Sequence, residues 1–289
     1  MSGAGEAEGA KPSASLFARP QPSAGMMQQM RAICDDLSAE HAELDALVAE
    51  LTDPQWSTAT PSPGWTIRDQ ISHLWFFDQR ALLALTDHEA FAADVQWLIA
   101  NGGTDASVDA GRLLEAAELV RRWRDDRQRL LDVAIAVDPS ARIPWYGPPM
   151  AARSFITARL METWAHGQDV ADALGASRRP TARLRHVAHL GARSRPFSYA
   201  VNGLTMPEVE VAVRLVGPDG DVWEWGDADA ETTVAGKALD FCLVVTQRRH
   251  VADTQLSVHG DAAAEWMSIA QAFAGGPGSG RQPGQFAAP

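Results

Sequence analysis

The stretch Glu162-Thr163-Trp164-Ala165-His166-Gly167-Gln168-Asp169 decides the reading of this chain. Glu162 and His166 are four residues apart, so on a helix they project from one face, one turn apart. Far upstream, the turn Pro63-Gly64-Trp65 leads through Thr66 into the apolar helical pattern Ile67-Arg68-Asp69-Gln70-Ile71-Ser72-His73-Leu74. Two histidines and a carboxylate from two helices make a three-ligand set. Three is the number a catalytic zinc keeps, so that one coordination position stays open. A structural zinc would take four ligands, commonly cysteines, and the chain has only Cys34 and Cys242, far apart in sequence.

Each residue also has a plainer reading. A lone histidine near a helix start often packs or caps, and an E-x-x-x-H pair often serves as a surface ion pair. The combination carries the argument, because Trp164 and Ala165 make one helix apolar around its pair, and Leu74, Trp75 and Phe76 do the same around His73. Polar groups directed into such surroundings are costly unless paired or metal-bound. Asp69, one turn before His73, and Asp169, one turn after His166, are placed to orient the two imidazoles as acceptors behind the ligands. Capping or surface pairing is the competing role for both. Among the other histidines, His41 falls on a bundle helix and is the reserve ligand.

The composition sets the frame. At 289 residues, with 46% hydrophobic and 21% charged residues, the chain has the makings of one large or two ordinary globular domains. A net charge of −12 argues against a nucleic-acid or anionic-membrane partner. Nothing approaches the length of a membrane span. The Gly-, Ala-, Ser- and Pro-rich opening lacks the apolar core of a signal peptide, so a cytoplasmic protein is expected, as monomer or homodimer. Cys34 and Cys242 show no paired spacing and read as small buried apolar side chains.

Helical periodicity runs from Met26 to Leu51, from Ile67 to about Thr86, from Gly111 to Val137 and from Ala151 to Leu174, with Gly175 as the last helix's stop. Thr66 is placed to cap the second helix with Asp69 as its capping-box partner. The 87–109 stretch is less regular, with a short helical piece at Phe91–Ile99, and 143–150 is a proline-rich loop carrying Trp145 and Tyr146. Beyond Pro180 the pattern changes to one helix (Leu184–Tyr199), a hairpin (209–225), short strands near Thr232 and Leu256, and helices over 238–248 and 262–274. The expected fold is α+β. An antiparallel four-helix bundle (26–180) is followed by a small α+β domain (181–274), with disordered or flexible tails at 1–25 and 275–289.

Pro63 through Leu74 resembles the opening signature of the DinB-like metalloenzymes, especially the mycothiol-dependent maleylpyruvate isomerase family. Glu162 through Val170 is similar to that family's second metal motif, and Val209–Ala274 to its small C-terminal domain. The resemblance implies a divalent metal, usually zinc, held by His73, Glu162 and His166. It further implies the low-molecular-weight thiol mycothiol as cosubstrate and a small electrophile as substrate. Thiolate addition followed by expulsion gives cis–trans isomerisation, and retention gives S-transfer. Arg248, at the position of a family arginine that reaches the site, is the implied catalytic residue, although here Gln247 stands where the family more often has glycine. Trp145 and Tyr146 are the candidate mouth of the thiol and substrate pocket. The Pro144–Pro149 loop and the Trp266–Ala274 ending resemble an actinobacterial branch whose electrophile is left open. A metal-dependent hydrolase using bound water and a non-catalytic metal or ligand carrier are the rival readings.

Overall fold

The structure, a computed structural model, describes residues 22–286. The expected N-terminal tail lies outside the described residues up to position 21, and α1 (Ala24–Val48) already begins at Ala24, capped by Ser23. After the one-turn helix α2 (Asp53–Trp56), the 61–64 turn delivers the chain into α3 (Ile67–Thr86). There Thr66 and Asp69 form the expected capping box, with the Asp69 carboxylate accepting from the Thr66 backbone N–H at 2.8 Å. The 87–109 stretch is more ordered than its sequence pattern indicates. Asp87 caps α4 (His88–Ala100), and a 3-10 turn (Gly103–Ser107) leads to the one-turn helix α5 (Asp109–Arg112). The third bundle helix, α6 (Ala116–Ala134), therefore starts later than the periodicity predicts. A two-residue hairpin, β1 (Arg142–Ile143) with β2 (Met150–Ala151), holds the proline-rich loop between its strands. It leads directly into α7 (Ala152–Leu174), which Gly175 ends in the left-handed conformation at φ 62°.

Helices α1, α3, α6 and α7 form the bundle, with α3 packed on α6 and α7, and α1 on α7. Helix α7 is buried on nearly every side, from Phe155 and Ile156 through Leu160 and Trp164 to Val170. A helix buried all round is a central element, and this one faces both the bundle and the second domain.

The stretch read as one helix over Leu184–Tyr199 is two, α8 (Leu184–Arg193) and α9 (Arg195–Val201). Pro196 is the reason: it cannot donate within a continuing helix and clashes with the preceding turn, but it is well accommodated in the first turn of a new one. Strands β3 (Val211–Val216), β4 (Val222–Trp225), β5 (Thr232–Lys237) and β6 (Ser257–His259) form a sheet in the order β4-β3-β5-β6. The central β3–β5 pair is parallel and the outer pairs are antiparallel. Helices α10 (Ala238–Val245) and α11 (Asp261–Ile269) complete the domain. Gly191 lets α8 lie close on α10, since a Cβ there would sit 2.6 Å from a Val245 methyl. Because α8 packs on both α7 and α10, one apolar core runs from Leu160 and Trp164 through Val187 to Phe241 and Trp266.

Within the described residues the C-terminal segment makes specific contacts with the body of the protein. Arg281 binds Asp169 at 2.7 Å, the Gly284 N–H donates to Asp253 at 2.7 Å, and Arg249 covers the Phe286 ring at 3.8 Å. A glycine-rich composition allowed flexibility, but the guanidinium and the aromatic ring anchor the segment.

His41 is buried inside the bundle beside Trp123, and neither ring nitrogen has a hydrogen-bond partner among the described residues. Burial, reinforced by the charges of Arg127 and Arg159, keeps its imidazole neutral well below the usual histidine range. An unfolded chain takes up that proton near pH 6.5, so native stability falls as pH drops below that value, by about 1.4 kcal/mol per pH unit per histidine. His41→Leu is expected to remove about one proton from this pH dependence. Thermal or urea unfolding of metal-stripped protein between pH 5 and 8 measures it, and an unchanged slope would contradict the assignment.

Candidate metal centre

The capping box sets the direction of α3, and with it the projection of His73 toward α7. Glu162 and His166 face it from one side of α7. Their ligand atoms and that of His73 all lie within 4.8 Å of one another. The His166 Nε2 to Glu162 carboxylate contact is 3.4 Å. His73 and His166 are buried, and Glu162 is partly open to a cavity of about 620 Å³.

The residues behind the ligands determine which ring nitrogen each histidine offers. Ser107 Oγ donates to the Thr104 carbonyl at 2.5 Å, so toward His73 Nδ1, at 2.8 Å, it acts as an acceptor. His73 is then protonated on Nδ1 and leaves its Nε2 lone pair free. A longer chain of donors acts on His166. Thr60 Oγ1 donates to the Trp65 carbonyl (2.9 Å), the Gln70 amide donates to Thr60 Oγ1 (2.9 Å), and Gln70 Oε1 therefore faces His166 Nδ1 (2.5 Å). Both Nε2 atoms are thus free to bind a cation beside the Glu162 carboxylate, the donor set that suits zinc.

Electrostatics agree with that use. Burial, the neighbouring His166 and the charges of Arg159 and Arg248 hold His73 neutral, well below its ordinary range. Burial acts to raise the Glu162 carboxyl, yet the hydrogen bond and charge of His166, with Arg159 and Arg248, outweigh it and keep it ionised.

The structure corrects the roles read for two aspartates. Asp69 binds Thr66 and, at 2.7 Å, Arg112; it makes no hydrogen bond to His73. Asp169 accepts from Arg248 at 2.8 Å, Arg281 at 2.7 Å and Ser62 at 3.0 Å, and makes none to His166. In each case a guanidinium is the stronger competitor for a buried carboxylate. Gln70 and Ser107 hold the imidazoles instead. Gln70 had a sequence signal, an amide among Ile67, Ile71 and Leu74; Ser107, on an irregular turn, had none.

Arg248 reaches the cavity wall through the end of α10. Gln247 adopts a left-handed φ of 58°, and the Gln247 and Arg248 N–H groups bond back to Val244 (2.9 Å) and Leu243 (2.7 Å). This is a Schellman-type ending, in which glycine is the usual occupant of the left-handed position. Its nitrogens are committed to Ala165 O (3.1 Å), Thr246 O (2.6 Å) and Asp169. Arg248 therefore contributes charge to the cavity while its geometry is fixed by the protein.

Trp145 and Tyr146 both line the cavity. The Tyr146 hydroxyl donates to Asp94 at 3.3 Å, and burial with the Asp94 charge raises its pKa well above normal. Tyr146 thus offers the cavity its ring.

Gln70→Leu and Ser107→Ala are expected to weaken zinc binding about 10- to 100-fold, while Asp69→Asn leaves it within about threefold and lowers stability through the cap. Competition with a chromogenic chelator distinguishes the two behaviours.

Residues 37–171 match the family Mycothiol maleylpyruvate isomerase N-terminal domain. Uncharacterized proteins from two strains of Mycobacterium tuberculosis are 49% identical over 248 residues, covering 85% of this chain and 96% of theirs. The crystal structure of the mycothiol-dependent maleylpyruvate isomerase superposes with a TM-score of 0.53 at 14% identity, covering 76% of this chain and 90% of that one. A likeness at that identity shows a shared fold, the helical bundle followed by the sheet domain. With its bundle matched to the family and its fold shared across both domains, the chain belongs to the mycothiol maleylpyruvate isomerase family.

Proposed function

We propose that this protein is a metal-dependent enzyme that uses a low-molecular-weight thiol, mycothiol, to attack a small electrophile in the cytoplasm. The observation that carries the reading is the convergence of one ligand atom each from His73, His166 and Glu162 beside an open cavity. A zinc held there with a free position would acidify a thiol that binds it, making thiolate available at neutral pH.

The chain's own residues do the rest. Ser107 and Gln70 hold the two imidazoles in the ligating tautomer, so no rearrangement is needed when the ion arrives. Trp65 stacks over His166 at 6.0 Å and lies 5.0 Å from His73, screening both from solvent. Arg159 and Arg248 add positive charge, which favours a thiolate and any negative charge developing on the electrophile. In the addition, the sulfur lone pair forms a C–S bond and a carbon–carbon π pair moves onto the electron-withdrawing group. If that pair returns after rotation and the sulfur leaves, the result is isomerisation. Protonation of the carbon with sulfur retained is S-transfer.

Water activation is less well supported, since the buried carboxylates best placed to assist it as a base are already paired. The nearby buried carboxylates Asp78 and Asp169 are each bound to arginine.

Metal analysis of purified protein is expected to give about one zinc per chain, lost in His73→Ala and Glu162→Ala without loss of helical signal, since the bundle core is apolar without the ion. Mycothiol titrated into cobalt-substituted protein should perturb the visible spectrum and release about one proton per site. A metal-loaded protein whose spectrum ignores the thiol would overturn the thiol reading in favour of bound water.

A further inference from the structure

The cavity lining joins an aromatic wall to a buried guanidinium, and the combination bears on the electrophile. From ligand His73 an aromatic wall runs outward without interruption. The His73 and Phe77 rings lie 4.7 Å apart, Phe77 and Tyr146 5.7 Å, Phe77 and Trp145 6.1 Å, and Trp145 and Phe155 5.0 Å. Leu98, from the helix inserted after α3, lines the same side. Trp145 is stacked on Phe91 at 5.5 Å with a 6° tilt, and Tyr146 is tied by its hydroxyl to Asp94. The wall is therefore rigid before anything binds, which reduces the entropy cost of binding a flat apolar group.

Arg159 lines the same cavity, one turn after Phe155 and one turn before Glu162 on α7. It is buried, with Nε and Nη2 both directed at Asp78 Oδ1, at 3.3 and 2.9 Å. Its third nitrogen, Nη1, makes no hydrogen bond among the described residues, and the side chain lines the cavity. Asp78 thus fixes the guanidinium from behind and leaves one donor edge for a ligand. Arg248, whose nitrogens are all engaged, is the poorer anchor.

We propose that the electrophile is a ring-bearing apolar compound that lies on the Phe77–Trp145–Phe155 wall, with a single acceptor group, such as a carboxylate, held by Arg159. The inference rests on the thiol-enzyme reading above. A body lying against Phe77 is adjacent to the ligand His73, and Arg159 stands one turn from Glu162, so a double bond joining ring and acceptor would lie near the side chains that would hold the metal. A compact, doubly charged electrophile would leave the aromatic wall bare.

Calorimetric titration of zinc-loaded protein with two probes tests this: trans-cinnamate, which joins a ring to one carboxylate, and fumarate, which has two carboxylates and no ring. Cinnamate is expected to bind at least tenfold more tightly. Trp145→Ala should weaken cinnamate at least tenfold and change fumarate little. Arg159→Met alone would strand Asp78 as a buried charge, so it is combined with Asp78→Met, which replaces the pair by apolar groups. The double variant should retain zinc and lose at least tenfold in cinnamate affinity. Fumarate binding as tightly as cinnamate would overturn the proposal, as would cinnamate affinity unchanged in both variants. Cinnamate binding that survives the Arg159→Met/Asp78→Met change but vanishes on chelation would place the carboxylate on the metal and overturn the anchor. A protein that ignores the thiol yet prefers cinnamate in the expected way keeps the pocket assignment and loses only the thiol reading.

Discussion

A fully buried carboxylate, Asp169, is the constraint on which the arrangement depends. It lies just below His166 on α7 and accepts from Arg248 of the second domain, Arg281 of the C-terminal segment and Ser62 of the turn before α3. Burial acts to raise its carboxyl, but the two guanidiniums outweigh that and hold it ionised. Three separate parts of the chain are thereby fixed to one point beside the metal group. Neighbouring Asp172 adds a two-pronged contact to Arg249, at 2.7 and 2.8 Å. An isolated charge at this depth would be strongly unfavourable, so these segments must assemble together.

The same helix carries the functional groups in order along its length. Arg159, Glu162, His166, Asp169 and Asp172 follow one another at three- and four-residue steps, so they share one side of α7. That side faces the cavity and the second domain; the remaining faces are packed in the bundle. Function and assembly therefore use one stripe, in which Asp169 holds the domains together and Glu162 and His166 converge with His73.

Tautomer control is the second organising feature. A histidine can offer either nitrogen, and a ligand set forms reliably only where the other nitrogen is already engaged. Here the choice originates in hydroxyls that have already given their hydrogens to backbone carbonyls, Ser107 to Thr104 and Thr60 to Trp65. Backbone geometry in two loops thus fixes the chemistry of two imidazoles on helices. The loops follow the pattern of connections that carry function on a rigid scaffold.

Much of this was legible in the sequence because it follows from local rules. Period-3.6 burial marked the bundle helices, Thr66 and Asp69 marked the start of α3, Gly175 marked the end of α7, and the i, i+4 spacing placed Glu162 and His166 together. Pro196 was equally visible, but the apolar pattern across it concealed the break between α8 and α9. Sequence could not decide which partner each buried polar group would take. Asp69 and Asp169 were near enough to the histidines by helical spacing, yet arginines distant in sequence, Arg112, Arg248 and Arg281, claimed them. Spacing along one helix fixes which side chains share a face, whereas pairing across elements is a competition among all donors that folding brings within reach. The sequence by itself determined the course of the four bundle helices, the strands of the larger sheet and the identity of the candidate ligands. Only the tertiary structure decided their partners, because the strength of a buried charge's interactions depends on three-dimensional distance and desolvation.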